Sequence, residues 1–182
     1  MLGAPSLLLG FLYLGITLAC AVGVTALLGS FWLLPSVRRN RALRARDGVS
    51  LVRTGLRTLA TESALAQIRP ELNASQEERV LGSAAFSVVF ATEGLAFVNG
   101  RREYRLVCLL TWPEIDCAEV GAIEQRGRYY RCVTIRMHGG IDLPLVIGRE
   151  YLGGAFPCSR VDAEKIRDII TRLSTNAPTI SG

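Results

Sequence analysis

From Leu7 to Leu34 the chain runs for 28 residues without a charged side chain, and the first charge of either sign is Arg38. A helix crossing a bilayer core of about 30 Å needs about 20 predominantly apolar residues, so the run predicts one transmembrane helix. A cleaved leader fits poorly. Such a leader opens on a positive segment and has an apolar core of roughly 7–15 residues, whereas residues 1–37 hold no Lys or Arg. Directly behind the run stand Arg38, Arg39, Arg41, Arg44 and Arg46. Basic residues collect on the cytoplasmic side of a span. The expectation is therefore a single-pass protein of the inner (cytoplasmic) membrane, with its N-terminus outside and its C-terminal domain cytoplasmic. The five arginines would set topology and contact lipid headgroups.

Gly15, Ala19 and Gly23 recur every fourth residue. On a helix they form a small-residue stripe that lets a second helix approach closely. The stripe leaves two readings open, a lone anchor or a helix that packs on a membrane protein partner or on itself.

Charge elsewhere is balanced. Residues 48–182 carry 16 basic against 15 acidic side chains, so the basic pI of the whole chain is not the footprint of a nucleic-acid-binding face. The five cysteines, at 20, 108, 117, 132 and 158, are odd in number and contain no C-x-x-C pair. They read as small buried hydrophobes of a reducing compartment rather than a disulfide framework.

Val52, Leu56, Leu59, Ala60 and Leu65 fall near helical spacing, and Pro70 stops the pattern. Residues 50–69 are therefore expected to be one helix or two short ones. Glu71–Glu78 is polar and reads as a loop; its Asn73-Ala-Ser75 matches a glycosylation pattern that has no meaning in a cytoplasmic loop. The period then changes to that of strands. Val80–Phe90, Leu95–Val98, Tyr104–Leu110, Ile115–Ile123, Tyr129–Met137 and Leu143–Ile147 are separated by turn signals, among them Asn99-Gly100 and Arg126-Gly127. Pro144 makes the last of these edge-like, because proline cannot donate to a ladder. Ser159 and Asp162 form a capping box. Ile166, Ile169, Ile170 and Leu173 form the apolar stripe of a closing helix. About six strands in an antiparallel meander, plugged by this helix, argue for a sandwich or barrel.

This order resembles the pleckstrin-homology-like fold, in particular bacterial PH-like and GRAM-like domains. The matching residues are Glu78-Arg79-Val80-Leu81, Thr92-Glu93-Gly94-Leu95, Trp112-Pro113-Glu114-Ile115 and the helix at 160–173. The resemblance implies an α+β chain: a single transmembrane helix, then a mainly antiparallel β PH-like barrel or sandwich closed by a C-terminal helix. The expected divisions are 1–37 (anchor), 38–76 (basic tract and connecting helix), 77–174 (PH-like domain) and 175–182 (flexible tail). It also implies a binding or adaptor module rather than an enzyme. Phe90–Leu95 offers no basic residue that would hold an inositol phosphate.

Chemistry-bearing constellations are sparse. His138 is the lone histidine and precedes Gly139-Gly140, a turn position. Glu114 and Asp116 would share a strand face, where paired carboxylates can do acid–base work. No G-x-G-x-x-G or G-x-x-x-x-G-K-[ST] loop is present. Arg126, Arg128, Arg131 and Arg136 gather on one hairpin as a candidate docking surface for an acidic partner or lipid. No catalytic residue, cofactor or metal is expected. The partners expected are membrane lipid and a membrane protein or a second copy, not nucleic acid. The function expected is a membrane-anchored, non-enzymatic adaptor, with an accessory subunit of a larger membrane complex as the alternative.

Overall fold

The computed structural model describes residues 4–70, 81, 84–100, 104–149, 154 and 156–176; within the first helix, side chains are described for 13–24 and from 35 onward. The chain divides into two compact units, Met1–Pro35 and Ser36–Gly182.

Helix α1 spans Ala4–Arg44 and carries Pro35 inside it. In the first unit its described side chains, 13–24, are all exposed. Among the described residues no helix is long and apolar enough to cross a membrane. This overturns the expected transmembrane helix, and with it the single-pass inner-membrane localisation and the fold class built on them.

The arginine tract is likewise not a free juxtamembrane segment. Arg38, Arg39, Arg41 and Arg44 form the last part of α1, in the second unit, and Arg46 lies just beyond its end. Leu43 is buried with Val52, Val89 and Val98 in a small apolar cluster on one face of the sheet. Arg39 is only 2% exposed, so it faces protein, not headgroups.

The second unit is built on one seven-stranded antiparallel sheet, curled into a half barrel. Its strands are β1 (Val49–Leu56), β2 (Ala85–Ala91), β3 (Gly94–Asn99), β4 (Arg105–Thr111), β5 (Ile115–Gln125), β6 (Arg128–Met137) and β7 (Asp142–Ile147). The order across the sheet is β4-β3-β2-β1-β7-β6-β5. Two meanders thus meet at β1 and β7, which corrects both the simple meander and the closed barrel or sandwich of the sequence reading.

β1 is the largest departure from expectation. Residues 50–69 are not helical throughout: β1 occupies 49–56, and helix α2 spans Leu59–Ile68, capped by the Thr58 side chain on the Thr61 N–H. The apolar spacing of Val52, Leu56 and Leu59 is ambiguous in so short a run. Pairing with β2 along its whole length decides it as strand. The strand needs a glycine at 55, because a Cβ at this position would lie 2.4 Å from the Phe86 ring.

The main core lies on the concave face. Phe86, Val88, Phe90, Leu95, Phe97, Leu110, Val133, Ile135, Leu143 and Ile147 are fully buried there. Burying each large side chain is worth about 1.5–3 kcal/mol. Phe86 and Phe97 stack at 5.8 Å between centroids. Helix α3 (Arg160–Thr175) lays Ala163, Ile166 and Ile170 on this face, beside β5 and β6. The Ser159–Asp162 capping box starts it as expected.

β7 is central, not edge-like. Pro144 is tolerated because its missing N–H points away from β6, on the side where β1 has already ended; there its carbonyl accepts the Thr61 hydroxyl at 2.6 Å. At the opposite corner Trp112–Glu114 forms a 3-10 turn between β4 and β5. The polar loop at 71–78, residues 78–80 of the first matching tetrapeptide and the tail beyond Asn176 lie outside the described residues.

Candidate functional site

β1 and β7 pair over only two positions, Gly55 with Ile147 and Leu56 with Val146. One further bond, from the Gly148 N–H to the Thr54 carbonyl at 2.8 Å, closes this ladder. Continued by one residue, the same register would set Arg53 directly opposite Arg149. Like charges facing each other across a sheet are destabilising, and the strands part at this point. Beyond it Arg149 turns to Phe156, its N–H bonding that carbonyl at 2.7 Å.

The parting opens a seam with a groove on each side. The first, of ≈ 290 Å³, lies between the end of α1 and β1 and is lined by Val37, Asn40, Arg41, Arg44, Val52, Arg53 and Thr54. The second, of ≈ 170 Å³, lies between the seam and α3; Arg53, Arg149, Asp162 and Lys165 are its charged residues. Arg53 lines both. Among the described residues the two linings together hold Arg41, Arg44, Arg53, Arg149 and Lys165 against one carboxylate, Asp162. That carboxylate already accepts the Ser159 hydroxyl, which holds its pKa below the ordinary aspartate value. The Arg149 Nε is buried and has no hydrogen-bond partner among the described residues.

A polar chain runs into the first groove from beneath the sheet. Arg39 donates from Nε to Ser87 Oγ at 2.6 Å, and from its terminal nitrogens to the Gly100 carbonyl at 3.0 Å and the Ala85 carbonyl at 3.3 Å. Ser87, having accepted, donates to Asn40 Oδ1. Asn40 donates from Nδ2 to Thr54 Oγ1 at 2.8 Å. A guanidinium only donates, so every bond in this chain is oriented away from Arg39. Burial lowers the Arg39 pKa, with the nearby Tyr104 acting in the opposite sense, yet an arginine this strongly basic stays charged.

The residues singled out from sequence scatter. Gly15 and Gly23 have open space where a Cβ would stand, so the small-residue stripe touches nothing among the described residues. Of the arginine tract, Arg38 and Arg46 are exposed, Arg39 is buried, and Arg41 and Arg44 line the first groove. The four hairpin arginines do not form one surface. Arg126 sits in the tight turn at φ 54. Arg128 and Arg136 alternate with Arg131 along β6, and Arg136 is held by Asp142 at 2.9 Å. Arg131 projects from the other face, where its charge reaches Cys158.

Glu114 and Asp116 are not a pair. Glu114 closes the cap of the 3-10 turn on the Thr111 N–H and hydroxyl and pairs with Arg69 at 2.6 Å. Asp116 faces His138 at 3.9 Å on the surface. The described cysteines are all free thiols, and burial pushes the Cys132 and Cys158 thiols up, away from nucleophilic thiolate. Among the described residues no group of His, Cys, Asp and Glu could hold a metal ion.

Sequence reasoning missed the seam. Arg53 and Arg149 are 96 residues apart, and nothing in either neighbourhood signals the other. No family model, no curated protein and no solved structure matches this chain.

Proposed function

We propose that this chain is a non-enzymatic binding module whose working surface is the basic seam between β1 and β7, and that its partner is acidic. One observation carries the reading: Arg53 and Arg149 are brought to the same gap, among three further cations and, among the described residues, one carboxylate that is already engaged. An acidic partner would meet guanidinium groups on both sides of this gap. Charge complementarity of this kind steers encounter and fixes orientation. Elsewhere Glu114 closes a cap, Asp142 is held in an ion pair, and the Cys132 and Cys158 thiols are buried. A binding role is also what a resemblance to PH-like and GRAM-like domains implies.

The test is binding of a fluorescently labelled hexaglutamate peptide to the full chain. The expected result is binding that weakens steeply as salt rises and is lost in the double variant Arg53→Gln, Arg149→Gln. The variant Arg126→Gln, Arg128→Gln is expected to keep it. Equal loss in both variants would move the surface to the hairpin and overturn the reading.

A second reading rests on α1. Tyr13, Leu14, Leu18 and Val22 are exposed by 63–71%, more apolar surface on one helix than a chain standing alone keeps uncovered. We propose on this ground an accessory subunit whose α1 is covered by another protein chain or a second copy. Chemical crosslinking from Cys20 in native extract tests it; products of monomer mass only would remove it.

A further inference from the structure

We infer that the outer edge of β5 is a strand-addition site, and that its occupant is an extended basic segment of another protein. The inference does not rest on the seam. β4 and β5 end the sheet, so each pairs with one neighbour only. On an antiparallel edge strand every second residue points its N–H and C=O away from the sheet. At β4 that row is interrupted: Arg69 Nη2 donates to the Leu109 carbonyl at 3.2 Å, so the end of α2 lies against that edge. At β5 it is open. Between Asp116 and Gln125, among the described residues, no group outside β6 is hydrogen-bonded to the backbone. Beyond Ala118 no residue of the strand is buried.

Edge strands are ordinarily kept short, or carry lysine, proline or bulges that bar another strand. β5 is the longest strand of the sheet, at 11 residues, with no lysine or proline, and its one bulge lies at its start, between Ile115 and Cys117. Its charged residues are Asp116, Glu119 and Glu124, all acidic and all exposed. They exclude a second copy of β5, which would bring only carboxylates, and leave the edge complementary to a basic strand. Alternation sets Glu119 and Glu124 on opposite faces. On β6 they are opposed by Thr134 and Tyr129, not by a cation. Glu119 feels the charge of Arg136, but the hydrogen bonds of that guanidinium go to Asp142. Opposite charges facing each other across paired strands favour pairing. In strand addition the backbone bonds supply affinity and the alternating side chains supply selectivity. The fitting segment therefore carries lysine or arginine on both of its faces.

The probe is a labelled peptide, TKVKKVKT, which has lysines on both faces when extended; TEVEEVET is the comparison. Fluorescence anisotropy with the full chain is expected to show the basic peptide binding at least tenfold more tightly than the acidic one. The double variant Glu119→Gln, Glu124→Gln should weaken it roughly fivefold, the scale of two exposed cross-strand charge pairs, with the circular dichroism unchanged. Amide hydrogen exchange followed by NMR reads the backbone. TKVKKVKT should slow exchange at least tenfold at alternate residues from Cys117 to Gln125 and leave β4 as it was. Binding without that alternating protection overturns the inference, because charge alone then holds the peptide. Protection of the same amides before peptide is added, rising with protein concentration, also overturns it and gives the edge to a second copy. So does equal binding of the two peptides, or binding of neither.

Discussion

Arg39 and Ser87 meet at 2.6 Å across 48 positions of sequence, inside the protein, with Arg39 from the tract that most resembles a solvated basic flank. The bond ties the last turns of α1 to β2, and the same guanidinium holds two backbone carbonyls.

Arg39→Ala is therefore expected to destabilise the chain by about 2–4 kcal/mol, since it removes packing and takes the donor from the buried Ser87 hydroxyl and from two part-buried carbonyls. Arg38→Ala, one position earlier and exposed, should stay within about 0.5 kcal/mol of the parent. Urea denaturation of the two variants checks this. Equal effects would mean that the arginine tract acts only as a charge run.

Gly55→Ala puts a methyl group into the Phe86 ring. Overpacking of this kind costs about 1–3 kcal/mol. Adding Phe86→Leu should recover part of that loss, a coupling that a double-mutant cycle measures. Additive losses would show that the two residues do not press on each other.

Glu114 supplies the pH dependence. Burial alone would raise its pKa, but the bonds from Arg69 and Thr111 outweigh that and hold it below the ordinary value of 4.5. A carboxylate with a depressed folded pKa stabilises the fold at pH above its unfolded value, and that contribution is lost as pH falls through the folded value. Stability should thus hold at neutral pH and decline below about pH 4.5. Thermal unfolding of Glu114→Gln should show lower stability at pH 7 and a flatter acid limb; a parallel curve would assign the decline to other groups.

The thiols sort by burial. Cys20 is exposed and Cys117 half-buried, whereas Cys108, Cys132 and Cys158 are buried. In native protein two thiols should react with a disulfide reagent within minutes, and the other three only on unfolding. Five fast thiols would contradict the packing of β4, β6 and the α3 entry.

The sequence by itself determined what depends on near neighbours. The Ser159–Asp162 box and the stripe of Ile166 and Ile170 are local geometry, and α3 starts and faces as they dictate. Arg126-Gly127 specifies a two-residue hairpin turn, with both φ positive as such a turn requires. The alternation of Val133, Ile135 and Met137 set the buried face of β6. Tertiary structure decided what depends on distant partners. β1 is a strand because β2 lies beside it, and Pro144 is central because β1 ends before reaching it. Arg39 is buried because the strand face it meets lies 46 to 61 residues away along the chain. The seam, likewise, exists only where the register of two strands would oppose Arg53 and Arg149. Hydrophobic periodicity reports which side of an element is apolar, but not which element will cover it, and a charge reads as solvated until a fold supplies its acceptors.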